Sequence, residues 1–218
     1  MDIKNITAFL TELQSNNNKE WMDANNKWYQ ETKGQFEELV AHLLGGITQF
    51  DQGLQGLEPK KCIFRVNRDV RFSKNKDPYK TNYGAAMAEG GRKSGNPLYY
   101  FHLEPGRAFV AGGVYMPEAD PLKKIRQEID YNPEELKRIV EQPDFKKAFG
   151  GIQGEGLKTA PKGYPKDHPN IELLRRKSFI VVHDLSPVEL RSEFIVEASL
   201  SLYKLIKPFN DYLSVAIS

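Results

Sequence analysis

The sequence predicts an α+β fold: a single domain over residues 1–218 in which an antiparallel sheet with a central hairpin packs against N-terminal and C-terminal helices. Three observations predict it. Apolar residues recur at helical spacing toward both ends of the chain and at period two in its middle. Two strand-like segments, residues 98–104 and 107–116, flank Pro105-Gly106, the simplest antiparallel hairpin. Finally, 218 residues with 39% hydrophobic content are enough for one well-buried core and short for two.

In order along the chain, residues 7 to about 50 read as helix. Phe9, Leu10 and Leu13 make a short amphipathic stretch that Asn16-Asn17-Asn18 interrupts. Trp21, Trp28, Phe36, Leu39, Val40, Leu43 and Ile47 then define one face of a longer helix, weakened at its end by Gly45-Gly46, and residues 51–59 form a loop by composition. Residues 60–66 alternate Cys62, Phe64 and Val66 with Lys61, Ile63 and Arg65, which predicts a strand. Residues 83–97, rich in Gly and Ala, predict a strand running into a flexible loop, and Gly112-Gly113 within the hairpin marks a bulge or a close backbone approach.

Helical patterns return over residues 121–129 and after Asn132-Pro133-Glu134-Glu135, which has the N-cap, first-turn proline and N3 glutamate of a helix start. Residues 150–170 hold five glycines and three prolines, a long polar loop of the functional or mobile kind. A short helix over 171–177 and a short strand over 178–183 follow. Ser186-Pro187-Val188-Glu189 repeats the capping pattern and predicts a C-terminal helix through residue 205.

Composition narrows the function classes. No run approaches the roughly 18 apolar residues of a membrane span, and MDIKNITAFL lacks the basic-then-apolar layout of a secretory signal, so a cytoplasmic protein with no membrane partner is expected. Cys62 is the only cysteine, which excludes an intrachain disulfide and a thiolate cage; no cofactor and no metal are expected. Residues 60–80 carry eight of the 31 bases and two of the 29 acids, so the rest of the chain, with 23 bases and 27 acids, is net negative. The positive charge is local, and a basic surface over the whole chain is not expected.

That segment, FRVNRDVRFSKNKDPYK, is the leading functional candidate. As a continued strand it would set Arg65, Asn67, Asp69 and Arg71 on one face; as a helical turn it would gather Arg65, Arg68 and Arg71. Asp69 is the built-in counterion and an unsuitable general base, since neighbouring guanidiniums stabilise its ionised form. Lys74, Lys76 and Lys80 surround the turn-prone Asp77-Pro78, while Tyr79 and Tyr83 could add hydroxyls. Guanidinium forks with lysines at the rim suit a phosphate or carboxylate. Equally, Glu20, Asp23, Glu31, Glu37 or Glu38 could complete a structural ion-pair network.

The run Arg65-x-x-Arg68-Asp69-x-Arg71-Phe72-x-x-Asn75-Lys76-x-x-Tyr79 resembles the signature of a bacterial family known as domain of unknown function 2461. The resemblance extends to NNNKEWMDANNKWY, YYFHLEPG, PKGYPKDHP and LLRRKSF, and so spans nearly the whole chain. It implies one domain and assigns no reaction. Asn75 stands where the pattern often has Asp.

Outside the basic segment, His102 and Glu104 alternate on YYFHLE with Tyr100. They are the expected proton-handling pair of an enzyme, and do not amount to a metal site. His168 lies in the long loop beside Asp167, a natural N-cap for a helix starting near Pro169; alternatively this second basic loop closes over the arginines. The expected function is therefore binding, or enzymatic turnover, of an anionic small molecule by Arg65, Arg68, Asp69, Arg71, Lys76, Tyr79 and Lys80. A nucleic-acid phosphate-binding module with Phe72, Tyr79 and Tyr83 for stacking and a purely structural network are the alternatives.

Overall fold

A computed structural model describes residues 1–218. Its N-terminal third is helical: α1 (Ile3–Ser15), α2 (Lys19–Ala24) and α3 (Asn26–Ile47). The three asparagines between α1 and α2 each do a different job. Asn16 ends α1 with its backbone N–H on the Leu13 carbonyl, and Asn18 caps α2 by accepting from the Trp21 N–H. Asn17 reaches across to Tyr79, accepting from its N–H at 3.1 Å and donating to its carbonyl at 2.9 Å, as a neighbouring strand would. The single long helix expected from Trp21 onward is broken at Asn25, whose amide turns back to the Trp21 carbonyl.

A 3-10 turn at Gln52–Leu54 leads to α4 (Pro59–Cys62), then to β1 (Tyr83–Ala88), β2 (Leu98–Glu104) and β3 (Arg107–Val114). Helices α5 (Ala119–Tyr131), α6 (Pro133–Val140), α7 (Pro143–Phe149) and α8 (Ile171–Leu174) precede β4 (Phe179–Asp184) and α9 (Ile195–Ile217). The four strands form one antiparallel sheet in chain order, and the predicted hairpin is β2–β3, with Glu104 opposite Arg107. No helix is long and apolar enough to cross a membrane.

The strand expected over residues 60–66 is not there. Pro59 opens a helical turn instead, and Cys62 is buried at its end, its thiol pushed up to about 11 by burial. Only Ile63 and Phe64 then run beside β1, through one bridge to Ala85 and the Phe64 N–H on the Gly84 carbonyl. Seven alternating residues were compatible with either period, and the N1 proline decided the first three. At the C-terminal end, Ser186 and Glu189 do make the predicted capping box, yet the helix starts only at Ile195 and runs past Pro208 to Ile217. Phe209, Tyr212, Leu213 and Ala216 are buried beyond the proline, and their burial offsets the lost backbone bond, a cost of about 3 kcal/mol.

The sheet is covered on one side. Tyr99, Phe101 and Leu103 of β2 face the helices with Val110 of β3 and Val181 of β4, where Phe36 of α3 stacks on Tyr83 at 5.1 Å. Helix α9 comes closest at the predicted glycine pair. A β-carbon at residue 112 would fall 2.2 Å from Cγ2 of Ile206, and one at residue 113 would fall 2.0 Å from the Phe179 carbonyl oxygen, at a backbone φ of 107°. Gly113→Ala should therefore cost at least about 2 kcal/mol, whereas Gly106→Ala, at the hairpin turn with φ 79° and open space around it, should cost only the left-handed strain of about 1 kcal/mol. Thermal unfolding of the two variants checks this ordering, and equal losses would contradict the close approach.

Candidate functional site

The other face of the sheet is open and floors a cavity of about 640 Å³. Small residues hollow it out: Ala86 of β1 and Ala111 of β3 sit low, while Tyr100 of β2 and Phe109 of β3 stand up beside them. Ile180 and Val182 of β4 close one end of the floor. Phe64, Lys80 and Asn82 come from the segments before β1, Arg92 from the β1–β2 loop, Tyr115 from the end of β3 and Gln153 from the long loop. An apolar, aromatic basin with a few cations at its edge has the size and make-up of a small-molecule site. A second cavity of about 280 Å³ adjoins it, sharing Phe64 and Arg92 and lined also by Lys33, Lys60 and Arg65.

The three arginines of the basic segment go to three places. Residues 66–68 run antiparallel to 78–80, with the Arg68 N–H on the Pro78 carbonyl and the Lys80 N–H on the Val66 carbonyl, so the segment is neither strand nor helix but the two arms of a loop. Arg71 is clasped by Asp69 through Nε at 2.9 Å and Nη2 at 2.6 Å, in the open. Arg68 folds onto its own loop, donating to the Asp77 carbonyl and to Ser73 Oγ, and Lys76 donates to the Val70 carbonyl. Arg65 faces the second cavity. The guanidiniums thus do not converge, and of the expected ligand-binding residues only Lys80 lines the main cavity. Four of the five proposed internal acids are occupied elsewhere: Glu38 by the N-terminal ammonium, Asp23 by Lys19, Glu37 by Lys60 and Glu31 by Asn5. Apart from Asp69 on Arg71, no carboxylate is in salt-bridge contact with these arginines.

Lys80 is partly buried, its ammonium 5.5 Å from the Phe64 ring centre with no acidic partner, and burial lowers its pKa, helped by Arg65 and Arg68 nearby. Arg92 spends its guanidinium on two carbonyls at the end of α4, Lys60 and Lys61, and is likewise free of a carboxylate. Arg107, by contrast, is neutralised by Asp184 across the β3–β4 pair at 2.8 Å and lies over the Phe109 ring. Two cations therefore border the cavity with their charge unmatched.

His102 lines the cavity's other side, and Glu104 lies beyond it on the same face of β2, outside the lining. The imidazole stacks on Phe109, ring centres 4.5 Å apart, and Tyr100 Oη is 3.0 Å from its Nδ1. Glu104 Oε2 lies 3.4 Å from Nε2 but outside hydrogen-bonding geometry, leaving that buried nitrogen without a hydrogen bond. Burial holds His102 below its ordinary pKa, opposed by Glu104. Tyr100, also buried for most of its surface, is pushed up to about 12 and keeps its proton.

The remaining candidates are structural. Tyr79 is tied by Asn17, and Tyr83 is buried with its hydroxyl 3.1 Å from Thr32 Oγ1, which removes it as a stacking surface. His168 is held by Asp130 at 2.9 Å and accepts from the Asn170 N–H; Asn170, not Asp167, stands at the N-cap of α8. The long loop is thereby anchored on α5 and does not close over the arginines. Arg92, Phe64, Tyr115 and Gln153 were not singled out by the sequence.

No group of three or more His, Cys, Asp or Glu side chains gathers anywhere in the fold. No curated protein and no solved structure matches the chain. A family model described as conserved hypothetical protein (DUF2461) matches residues 5–212, and the chain belongs to that family.

Proposed function

We propose that the protein binds an anionic small molecule, phosphorylated or carboxylated, in the cavity on the open face of the sheet. One observation carries this reading: Lys80 and Arg92 border an aromatic-walled basin with no carboxylate to neutralise them. Anion binding would relieve the crowding of Lys80 by Arg65 and Arg68, and the basin would bury the ligand's body against Phe64, Tyr100 and Phe109. The site is displaced from the arginine cluster expected on sequence grounds. Of that cluster, Arg65 and Arg68 contribute potential rather than contact, and Asp69 and Arg71 satisfy each other. Turnover of such a ligand would draw its proton-handling groups from the polar face of β2, where Tyr100, His102 and Glu104 stand in a row.

A second observation favours nucleic acid at a different place. Phe72 is 96% exposed at the tip of the 67–78 loop, with the Arg71 guanidinium 5.8 Å from its ring centre and Lys74 two residues further along the chain. An exposed ring flanked by cations suits stacking against a single-stranded base with phosphates alongside.

Thermal shift with AMP, pyrophosphate and citrate, with adenosine as the uncharged control, tests the first reading. At a ligand concentration about 100 times Kd the gain is about 2.7 kcal/mol, and each kcal/mol raises Tm by about 2–4 °C for a chain of this size. The gain should appear with at least one anion, be absent with adenosine and vanish in Lys80→Ala/Arg92→Ala; no shift with any of them, or an undiminished shift in the double variant, would overturn it. For the second reading, affinity for a labelled oligo-dT should fall steeply with salt and drop by about tenfold in Phe72→Ala, the equivalent of about 1.4 kcal/mol of stacking. An unchanged affinity in Phe72→Ala would remove that reading.

A further inference from the structure

The polar residues on the open face of β2 form a chain that starts in the cavity, with Tyr100 and His102, and leads out of it to Glu104. Tyr100, His102 and Glu104 alternate along β2, so the strand itself sets them side by side on the open face. Tyr100 Oη meets His102 Nδ1 at 3.0 Å, and His102 Nε2 turns toward Glu104 at 3.4 Å. The charged groups around the imidazole are Glu104 on its own strand, Arg107 on β3 and Asp184 on β4, and the last two are paired with each other. Glu104 therefore keeps its charge for the histidine. A lone pair on Nε2 would face that carboxylate, so the proton belongs on Nε2; Nδ1 then accepts from the phenol, which burial keeps protonated.

Neither nitrogen of His102 is open to the cavity in this arrangement. Nε2 is buried, and Nδ1 is covered by the phenol. The phenol can lie there because of a glycine on the neighbouring strand. Gly84 pairs with His102 in the β1–β2 register, and a β-carbon on it would come within 2.5 Å of Tyr100 Oη and 3.2 Å of Cζ.

We propose that Tyr100, rather than His102, is the group that exchanges a proton with the bound anion, that His102 and Glu104 stand behind it as a relay, and that Gly84 is the positioning residue that lets the phenol reach Nδ1. This rests on reading the cavity as the ligand site. In the forward direction a proton leaves an O–H or C–H of the ligand for Tyr100 Oη while the phenol's own proton passes to His102 Nδ1. Tyr100 ends neutral, His102 ends as an imidazolium beside the Glu104 carboxylate, and the ligand ends one charge more negative. Lys80 and Arg92 stand at the same cavity to offset that charge. The reverse sequence protonates the ligand. The class of substrate is thus a phosphorylated or carboxylated compound with an ionisable or carbon-bound proton, and the class of reaction is general acid–base proton transfer.

Two measurements on the ligand-free protein test the relay. In two-bond 1H–15N spectra of the histidine rings, His102 should be the Nε2–H tautomer. Tyr100→Phe should lower the ratio of Nε2–H to Nδ1–H by about fivefold, the equivalent of about 1 kcal/mol for one hydrogen bond, and Gly84→Ala should do the same where it folds. In carbethoxylation with diethylpyrocarbonate, followed by peptide mass spectrometry, exposed His42 should react and His102 should not, and Tyr100→Ala should open His102 to the reagent. A wild-type Nδ1–H tautomer, a ratio unmoved by Tyr100→Phe, or carbethoxylation of wild-type His102 at the rate of His42 would overturn the proposal. Neither measurement involves Lys80, Arg92 or an added anion, so the relay can fail while anion binding stands, and the reverse.

Discussion

Helix α9 can lie against β3 only because residue 112 has no side chain: Ile206 occupies the space where its β-carbon would be. Much of the architecture follows from that contact. A 23-residue helix pressed onto the centre of the sheet buries Tyr203, Ile206, Phe209 and Leu213 in one row, and that row accounts for the helix continuing through Pro208. With α3 and α9 packed on the same side, the sheet's opposite face is left to the segments before β1, the β1–β2 loop and the long loop after α7. A four-stranded sheet covered on one side must make its uncovered side tolerable to water. Here it does so with a concave face that alternates small residues, aromatic rings and a few charged groups, which is also the composition of a binding surface.

The charge distribution follows a second logic. The basic segment as a whole looks like a site, but most of it is taken up in its own loop geometry. Asp69 satisfies Arg71, Asn75 caps a turn at Asp77, and Arg68 and Lys76 tie the loop to its own carbonyls. These are local bonds between residues no more than nine apart, and they order a polar loop with no core of its own. What the loop exports is Lys80, placed at the cavity by the pairing of 66–68 with 78–80 and by Asn17 on Tyr79. Arg65 and Arg68 act on it at a distance, disfavouring its charged form. Removing either arginine should therefore act on the cavity through the lysine's electrostatics more than through lost contacts.

How much of this was legible in the sequence depended on range. The alternation of YYFHLE identified β2 and put Tyr100, His102 and Glu104 on one face, because side-chain direction in a strand is a local property. Gly112-Gly113 announced a close approach, though not that α9 was the partner. KKCIFRV was misread because period two over so few residues competes with a proline at a helix start. The convergence of the arginines was misjudged for a different reason: whether three guanidiniums share a pocket or find separate partners is set by loop closure, which spacing does not encode. Asn17 was out of reach altogether, since its role is a contact with a residue 62 positions away. Arg92 was invisible for the same cause, a cation whose meaning comes only from the cavity beside it.

The sheet's polar residues also explain one another better than they explain themselves singly. A buried histidine that lacks a hydrogen bond at Nε2 is a net cost to folding. Tyr100 and His102 share one bond, Phe109 fixes the imidazole plane, and Gly84 leaves the room, yet the Nε2 end is still unsatisfied. Packing alone would be served as well by an apolar side chain at 102, stacked on Phe109 with no polar atom to satisfy. Below roughly pH 6.5 the cost grows, because the unfolded chain takes up a proton that the folded ring resists: the folded pKa is depressed, so the stability is present above that pH and is lost on acidification. In the relay we propose, an imidazole whose cation burial disfavours and a neighbouring carboxylate favours is poised to accept a proton offered through Tyr100. That poise gives a physical reason for a polar residue at a position where stability by itself would favour none.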